Sequence, residues 1–232
     1  MTSTRRSAGI AIALLTLATT SPAGAQVPGA PKAPSLGLTA TLKVTSLGFG
    51  GEVGFNFLPR VGIRVGGQWA SLNGEMTVSN TLYTADAKWR SLDALLDFQL
   101  LGPVHARAGV VRNSNRLEVR ADPTVSITIG DSTYAPTQIG SITGTFGFPK
   151  YAPYGGLGFV MGGRVALLLE LGAMLQGSPK VSYAATTALT GTAKAAFDAQ
   201  VQSEAAQIQQ DLDGRSYLKV WPVVGIGLQV KI

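Results

Sequence analysis

The sequence predicts an all-β fold: an eight-stranded antiparallel transmembrane β-barrel with one helix in a long loop. Three observations predict it. Apolar and polar residues alternate with a period of two in segment after segment, as in strands with one apolar and one polar face. Only 14% of the residues are charged and 29 are glycine, whereas a soluble domain carries roughly a quarter charged. The links between segments alternate between short and long, as the two ends of a membrane barrel do.

The N-terminus carries the features of an export signal. Arg5 and Arg6 form a basic start, residues 8–18 form an apolar stretch too short to cross a bilayer, and Ala23-Gly24-Ala25 is an A-x-A cleavage motif. The expected organisation is a signal peptide over 1–25, cleaved after Ala25, a short linker over 26–35, and a barrel over 36–232 in the bacterial outer membrane. There are no cysteines. An exported chain without them is held by burial, by a closed hydrogen-bond ladder or by a membrane. After residue 25 no run offers the roughly 18 apolar residues of a transmembrane helix. The net charge is +6, and without Arg5 and Arg6 it is +4, from 17 basic and 13 acidic residues. That balance is too mild for a nucleic-acid partner.

Eight segments alternate. In the first, Leu38, Ala40, Leu42 and Val44 oppose Thr39, Thr41 and Lys43. In the second, Leu47, Phe49, Val53, Phe55 and Phe57 oppose Gly50, Glu52, Gly54 and Asn56. Val61, Ile63, Val65 and Trp69 then oppose Gly62, Arg64 and Gln68. Leu92, Ala94, Leu96, Phe98 and Leu100 oppose Asp93, Asp97 and Gln99. Val104, Ala106, Ala108 and Val110 oppose His105 and Arg107. Pro153, Leu157, Phe159 and Met161 oppose Tyr154, Gly156 and Gly158. Val165, Leu167, Leu169 and Leu171 oppose Arg164, Glu170 and Gly172. In the last, Val224, Ile226, Leu228 and Val230 oppose Gly225, Gly227, Gln229 and Lys231.

The tight links are 58–60, 101–103 and 162–163, and they share one end. At the other end are a small turn near Thr45-Ser46, a longer link around 80–84, and the long loops 121–149 and 185–215. The second long loop holds a helix over 193–212, with Phe197, Val201, Ile208 and Leu212 near helical spacing and Asp213-Gly214 as its stop. In the first, the β-prone runs 125–129 and 139–145 suggest a hairpin above the membrane.

A soluble β-sandwich or lipocalin-like barrel also alternates. Its polar face meets water and carries long charged side chains; here that face is mostly Gly, Thr, Asn and Gln. Small residues suit the cramped interior of an eight-stranded barrel.

The chain also resembles a family of small proteobacterial outer-membrane barrels. The resemblance is carried by Tyr151-Ala152-Pro153-Tyr154-Gly155-Gly156-Leu157-Gly158, by 171–181 (LGAMLQGSPKV), by Asp211-Leu212-Asp213, by 220–228 (VWPVVGIGL) and by Ser46-Leu47-Gly48-Phe49-Gly50-Gly51-Glu52. It implies an OmpA-like eight-stranded barrel and brings no reaction or ligand. Such barrels usually end in an aromatic residue, whereas this sequence ends in Ile232.

The polar parity carries the candidate chemistry. Glu52, Arg64, Asp93, Asp97, Arg107 and Glu170 are expected to form a lumen charge network that plugs the barrel, with Arg64 beside Glu52 and Arg107 beside Asp93 or Asp97. Paired carboxylates also do acid–base work, but no substrate opening is implied. The single histidine, His105, follows the 101–103 turn, which places it at the end opposite the outer leaflet, away from any lipid substrate. A lipid-modifying enzyme is therefore a poor fit, and no catalytic, cofactor or metal residue is assigned. Trp69, Trp89, Tyr83, Tyr151, Tyr217 and Trp221 lie toward the loop end and suit an aromatic girdle. Basic residues there, among them Arg90, Arg112 and Lys150, are interspersed with Asp86, Glu118 and Asp122, so the favoured reading is a solvated mixed surface and contact with lipopolysaccharide phosphates is the alternative. The expected partners are outer-membrane lipid, lipopolysaccharide and, during biogenesis, the barrel-assembly machinery. The expected role is structural or surface-interacting, with a narrow channel for small apolar molecules as the alternative.

Overall fold

The computed structural model describes residues 37–78 and 81–232; the expected signal peptide and linker lie outside the described residues. Thirteen strands and one α-helix follow one another: β1 (Gly37–Thr45), β2 (Gly48–Leu58), β3 (Val61–Val78), β4 (Thr81–Leu101), β5 (Val104–Asn113), β6 (Arg116–Asp122), β7 (Ile127–Ile129), β8 (Ser132–Tyr134), β9 (Ile139–Gly147), β10 (Tyr151–Gly162), β11 (Val165–Leu175), β12 (Lys180–Thr187), α1 (Gly191–Asp213), a 3-10 turn (Ser216–Lys219) and β13 (Val220–Lys231).

Hydrogen bonding runs β4–β3–β2–β1–β13–β11–β10–β5, and β5 pairs back to β4 from Leu101↔Val104 to Ser91↔Asn113. Every pair is antiparallel. The ring therefore satisfies its own backbone and has no free edge. Beyond Ser91, β4 leaves β5 and pairs with β6 from Lys88↔Arg116 to Leu82↔Asp122. β6 then pairs with β9, and β9 with β12. This second section of sheet rises from the end of the ring that carries the long connections.

Thirteen strands stand where the sequence suggested eight. The additional five, β6 to β9 and β12, lie outside those eight segments. β9 is rich in Thr, Ser and Gly and shows little contrast between its faces, and β7 and β8 are three residues each. β6 and β12, which do alternate, are only seven and eight residues long and fall within or beside the stretches read as loops. The link expected around 80–84 is also different: β3 and β4 stay paired out to Val78↔Thr81, at 18 and 21 residues each. The run 139–145 does not fold back on 125–129. It joins β6 and β12, and the small hairpin is β7 with β8.

Burial is inverted relative to a soluble protein. Along the ring strands the outward side chains are apolar: Leu42 is 63% exposed, Leu171 56% and Ile226 53%. The inward ones are polar or ionised, and Lys43, Glu52, Arg64, Asp97, Arg107 and Glu170 are all buried. Leu47 departs from the expected parity. It is buried inside the ring with Val111, Ala152, Met174 and Val223, residues near the loop-side ends of their strands. Gly48 causes the switch. Its φ of +121° is open to glycine and strained for other residues, and it turns the chain so that Leu47 points inward before β2 resumes alternation.

Outside the ring, α1 lies against the second sheet section. Phe197 and Val201 are its buried residues, packed with Ile129 and Ile139, and Tyr134 meets the Phe197 ring edge-on at 5.0 Å. Gln200 fixes the β7–β8 hairpin, accepting from Tyr134 Oη at 2.5 Å and donating to Ser132 Oγ at 2.9 Å. Gln209 accepts from Val181 N at 2.9 Å and donates to Pro179 O at 3.0 Å. The helix begins two residues before the expected 193 and stops before Gly214, whose N–H caps Gln210 O.

Candidate functional site

The interior of the ring holds the densest group of ionised side chains. Strand parity aims them at one another, and the antiparallel register sets their heights. Lys43 on β1 donates to Glu52 Oε2 on β2 at 2.9 Å and to Glu170 Oε2 on β11 at 3.2 Å. Arg64 on β3 donates through Nη1 to Glu52 Oε1 at 2.7 Å, through Nη2 to Gln229 Oε1 at 3.1 Å, and through Nε to Asp97. His105 Nδ1 lies 2.8 Å from Asp97 Oδ1. Tyr154 donates to Glu170 Oε1 at 2.6 Å. Arg107 has no exposed side-chain surface and sits 3.7 Å from both Asp97 and Glu170.

The structure thus brings five of the six expected charges into one cluster. Asp93 stands at its margin, where its Oδ2 accepts from Gln68 Nε2 at 3.3 Å and Gln68 Oε1 accepts from Thr45 Oγ1. Arg107 pairs with Asp97 and not with Asp93, because the β4–β5 register sets Asp97 opposite Arg107 and Asp93 opposite Val111. The sequence reading omitted Lys43, Tyr154, Gln229 and the His105 contact. Lys43 was within reach of it, since it shares the polar parity of Thr39 and Thr41.

Tyr154 reaches Glu170 only because glycine stands at 156 and 172, the same-face pair next along the two strands. A Cβ at Gly172 meets Tyr154 Oη at 2.5 Å, and one at Gly156 meets it at 2.7 Å; both are closer than real Cβ contacts. Any larger residue displaces the hydroxyl from its carboxylate.

Chemically, this arrangement neutralises charge. Glu52, Asp97 and Glu170 each face at least one cation within 4 Å. Buried charges are tolerated in this way, and removing one partner strands the other. His105 opens with Arg64, Gln99 and Gln229 onto a cavity of about 380 Å³ at the tight-turn end. Among the described residues no hydroxyl is hydrogen-bonded to His105, and no cluster of His, Asp and Glu has the makings of a metal site.

The six residues assigned to an aromatic girdle separate, and Tyr83 stands beyond the ring, where β4 pairs with β6. Trp69 and Tyr151 face outward from β3 and β10, at 58% and 62% exposure, and Tyr217 is exposed on the 3-10 turn. Trp69 meets Phe49 edge-on at 5.5 Å, and Lys150 Nζ lies 5.6 Å over the Tyr151 ring. Trp89 and Trp221 are half-buried and fall on the inward parity of β4 and β13. Trp221 packs against the apolar interior group and donates to Ser46 Oγ at 3.3 Å. Their position near the loop end was readable; the side of the wall was not, because alternation weakens there.

No family model matches the chain, and no curated protein matches it in sequence. Solved structures do match in fold. The crystal structure of Acinetobacter baumannii CarO2 has a TM-score of 0.55 at 21% identity, covering 85% of this chain and 99% of its own. That of Acinetobacter baumannii CarO has 0.54 at 20%, covering 87% and 100%. A major outer membrane protein from Thermus thermophilus has 0.42 at 11%, covering 84% and 97%. The chain shares its fold, a mostly antiparallel β architecture with one helix, with the two CarO structures.

Proposed function

We propose that this chain is an integral outer-membrane β-barrel. The eight ring strands (β1 to β5, β10, β11 and β13) cross the bilayer, the tight turns face the periplasm, and α1 with β6, β9 and β12 stands outside the cell. The observation that carries the reading is the inverted burial: a continuous apolar exterior around an ionised interior is costly in water and is what lipid requires. Strand length supports it. β2, β5, β10, β11 and β13 have 10 to 12 residues, close to the roughly 9–11 of one tilted crossing, while β3 and β4 run past it.

In this reading the lumen is closed by its own side chains, and the role is structural or surface-interacting without catalysis. The buried network and the apolar group around Leu47 together fill the section that a solute would need. Outward-facing Trp69 and Tyr151, with exposed Arg90, Arg112 and Lys150 at neighbouring heights, suit the interface where lipopolysaccharide phosphates lie. The cavity at the tight-turn end favours a second reading, a narrow channel gated by the network. Planar bilayers separate the two. A closed lumen gives no unitary conductance for the purified protein, whereas a stable conductance altered by Arg64→Ala or Glu170→Gln replaces this account with a channel.

A further inference from the structure

A second cavity lies outside the ring, on the loop side, with a volume of about 260 Å³. Its floor is one face of the second sheet section. Tyr83 pairs with Ala121, Ala121 with Ile142 and Ile142 with Ala185 across four strands, and Tyr183 shares the face of Ala185 one pleat along β12. Its roof is α1, through Val201 and Glu204, and β7, through Ile129. The volume lies just below the usual range of ligand pockets, which restricts the occupant to a compact molecule, and the mix of apolar wall with a few convergent polar groups is the usual one.

Three features define what it takes. Glu204 is the one ionised group among the lining residues, and no basic side chain joins it there. Glu204 is half-buried and makes no hydrogen bond or ion pair among the described residues, whereas Glu118, Asp122 and Asp198 are each paired with a neighbouring base. Two phenol rings line the same wall, and ring faces attract cations. Burial, and after it the Glu204 carboxylate, pushes the Tyr183 phenol up from its ordinary value, in keeping with both residues lining the same cavity.

We propose that this cavity binds a small organic cation, an ammonium group on a compact apolar body. Glu204 supplies the counter-charge, Tyr83 and Tyr183 the aromatic walls, and Ile129, Ile142 and Val201 the apolar contact. The site is independent of whether the lumen conducts.

The test uses the full folded chain in nonionic detergent, titrated calorimetrically with benzyltrimethylammonium and, separately, with benzyl alcohol as its neutral counterpart. Saturable binding of the cation is expected, with benzyl alcohol at least about tenfold weaker. Glu204→Gln and Tyr183→Leu are each expected to weaken cation binding about tenfold, while Glu118→Gln on β6 leaves it unchanged. Far-UV circular dichroism and the heat-dependent shift in gel mobility establish that each variant is folded. Absence of saturable binding to the folded wild type, equal binding of benzyl alcohol, or a folded Glu204→Gln variant that binds like wild type overturns the proposal.

Discussion

Lys43 and Glu170 are 127 residues apart in sequence and meet inside the ring, Nζ to Oε2, at 3.2 Å. The contact joins β1 to β11 across the intervening β13, so one ammonium ties two non-adjacent strands through the lumen. Glu52 keeps Arg64 if Lys43 is lost, but Glu170 keeps only the Tyr154 hydroxyl and an Arg107 guanidinium 3.7 Å away. Lys43→Met is therefore expected to cost about 3–5 kcal/mol, the range for breaking a buried pair. Lys43→Met with Glu170→Gln recovers part of that loss. Denaturant unfolding from micelles, followed by tryptophan fluorescence, measures both.

Tyr154 and Gly172 form a second coupled pair. Tyr154→Phe removes one hydrogen bond to a carboxylate and is expected to cost about 1.5–3 kcal/mol. Gly172→Ala costs more, since its methyl collides with the Tyr154 hydroxyl and ring. In the double variant the hydroxyl is gone, so the cost is smaller than the two singles combined. A double-mutant cycle by the same unfolding assay gives the interaction energy, and strict additivity rules the close approach out.

Phe197 is fully buried between α1 and the loop-side hairpin, and the ring does not depend on it. Phe197→Ala is expected to cost about 3–5 kcal/mol of local stability. Amide exchange should accelerate in α1, β7, β8 and β12 and remain unchanged in β1, β2, β11 and β13. Uniform acceleration in both regions contradicts the independence of the two cores.

A charge on the outer wall separates lipid from water. Leu169 and Leu72 are both outward apolar residues, the first in the middle of β11 and the second high on β3 beyond the paired end of β5. In phospholipid vesicles Leu169→Arg is expected to cost about 2–4 kcal/mol, the penalty at bilayer mid-depth, and Leu72→Arg under about 1 kcal/mol. Equal effects from reversible unfolding in vesicles contradict the placement of the band.

Most of the ring was legible because the two faces of its wall contrast. Where one face is apolar and exposed and the other turns into a crowded interior, every second residue is apolar, as in Leu92 to Leu100 or Val224 to Val230. The charge cluster was legible for the same reason, since an ionised residue in such a segment has only the inward side to occupy. Lys43 obeyed that rule and was passed over because Thr39 and Thr41 beside it are uncharged. Above the wall the contrast fades. β9 pairs through its backbone with little difference between its faces, and the alternation of 72–77 and of β6 is too short to separate a strand from a loop by itself. Leu47 was misassigned because parity carries no warning of a positive-φ glycine at a turn. Trp89 and Trp221 fall on the inward parity because aromatic residues are at home on either side of the rim.

The central claim is that the apolar exterior of the ring faces lipid, and spin-label accessibility tests it most directly. The chain has no cysteine, so single cysteines can be placed without background at 167, 169, 171, 224, 226 and 228 on β11 and β13, and at 72 and 76 on β3. In vesicles the first six labels are expected to be relaxed by oxygen and shielded from a water-soluble nickel chelate, while 72 and 76 are open to the chelate. If the chelate relaxes the labels on β11 and β13 as readily as those on β3, the ring stands in water and the membrane reading is wrong.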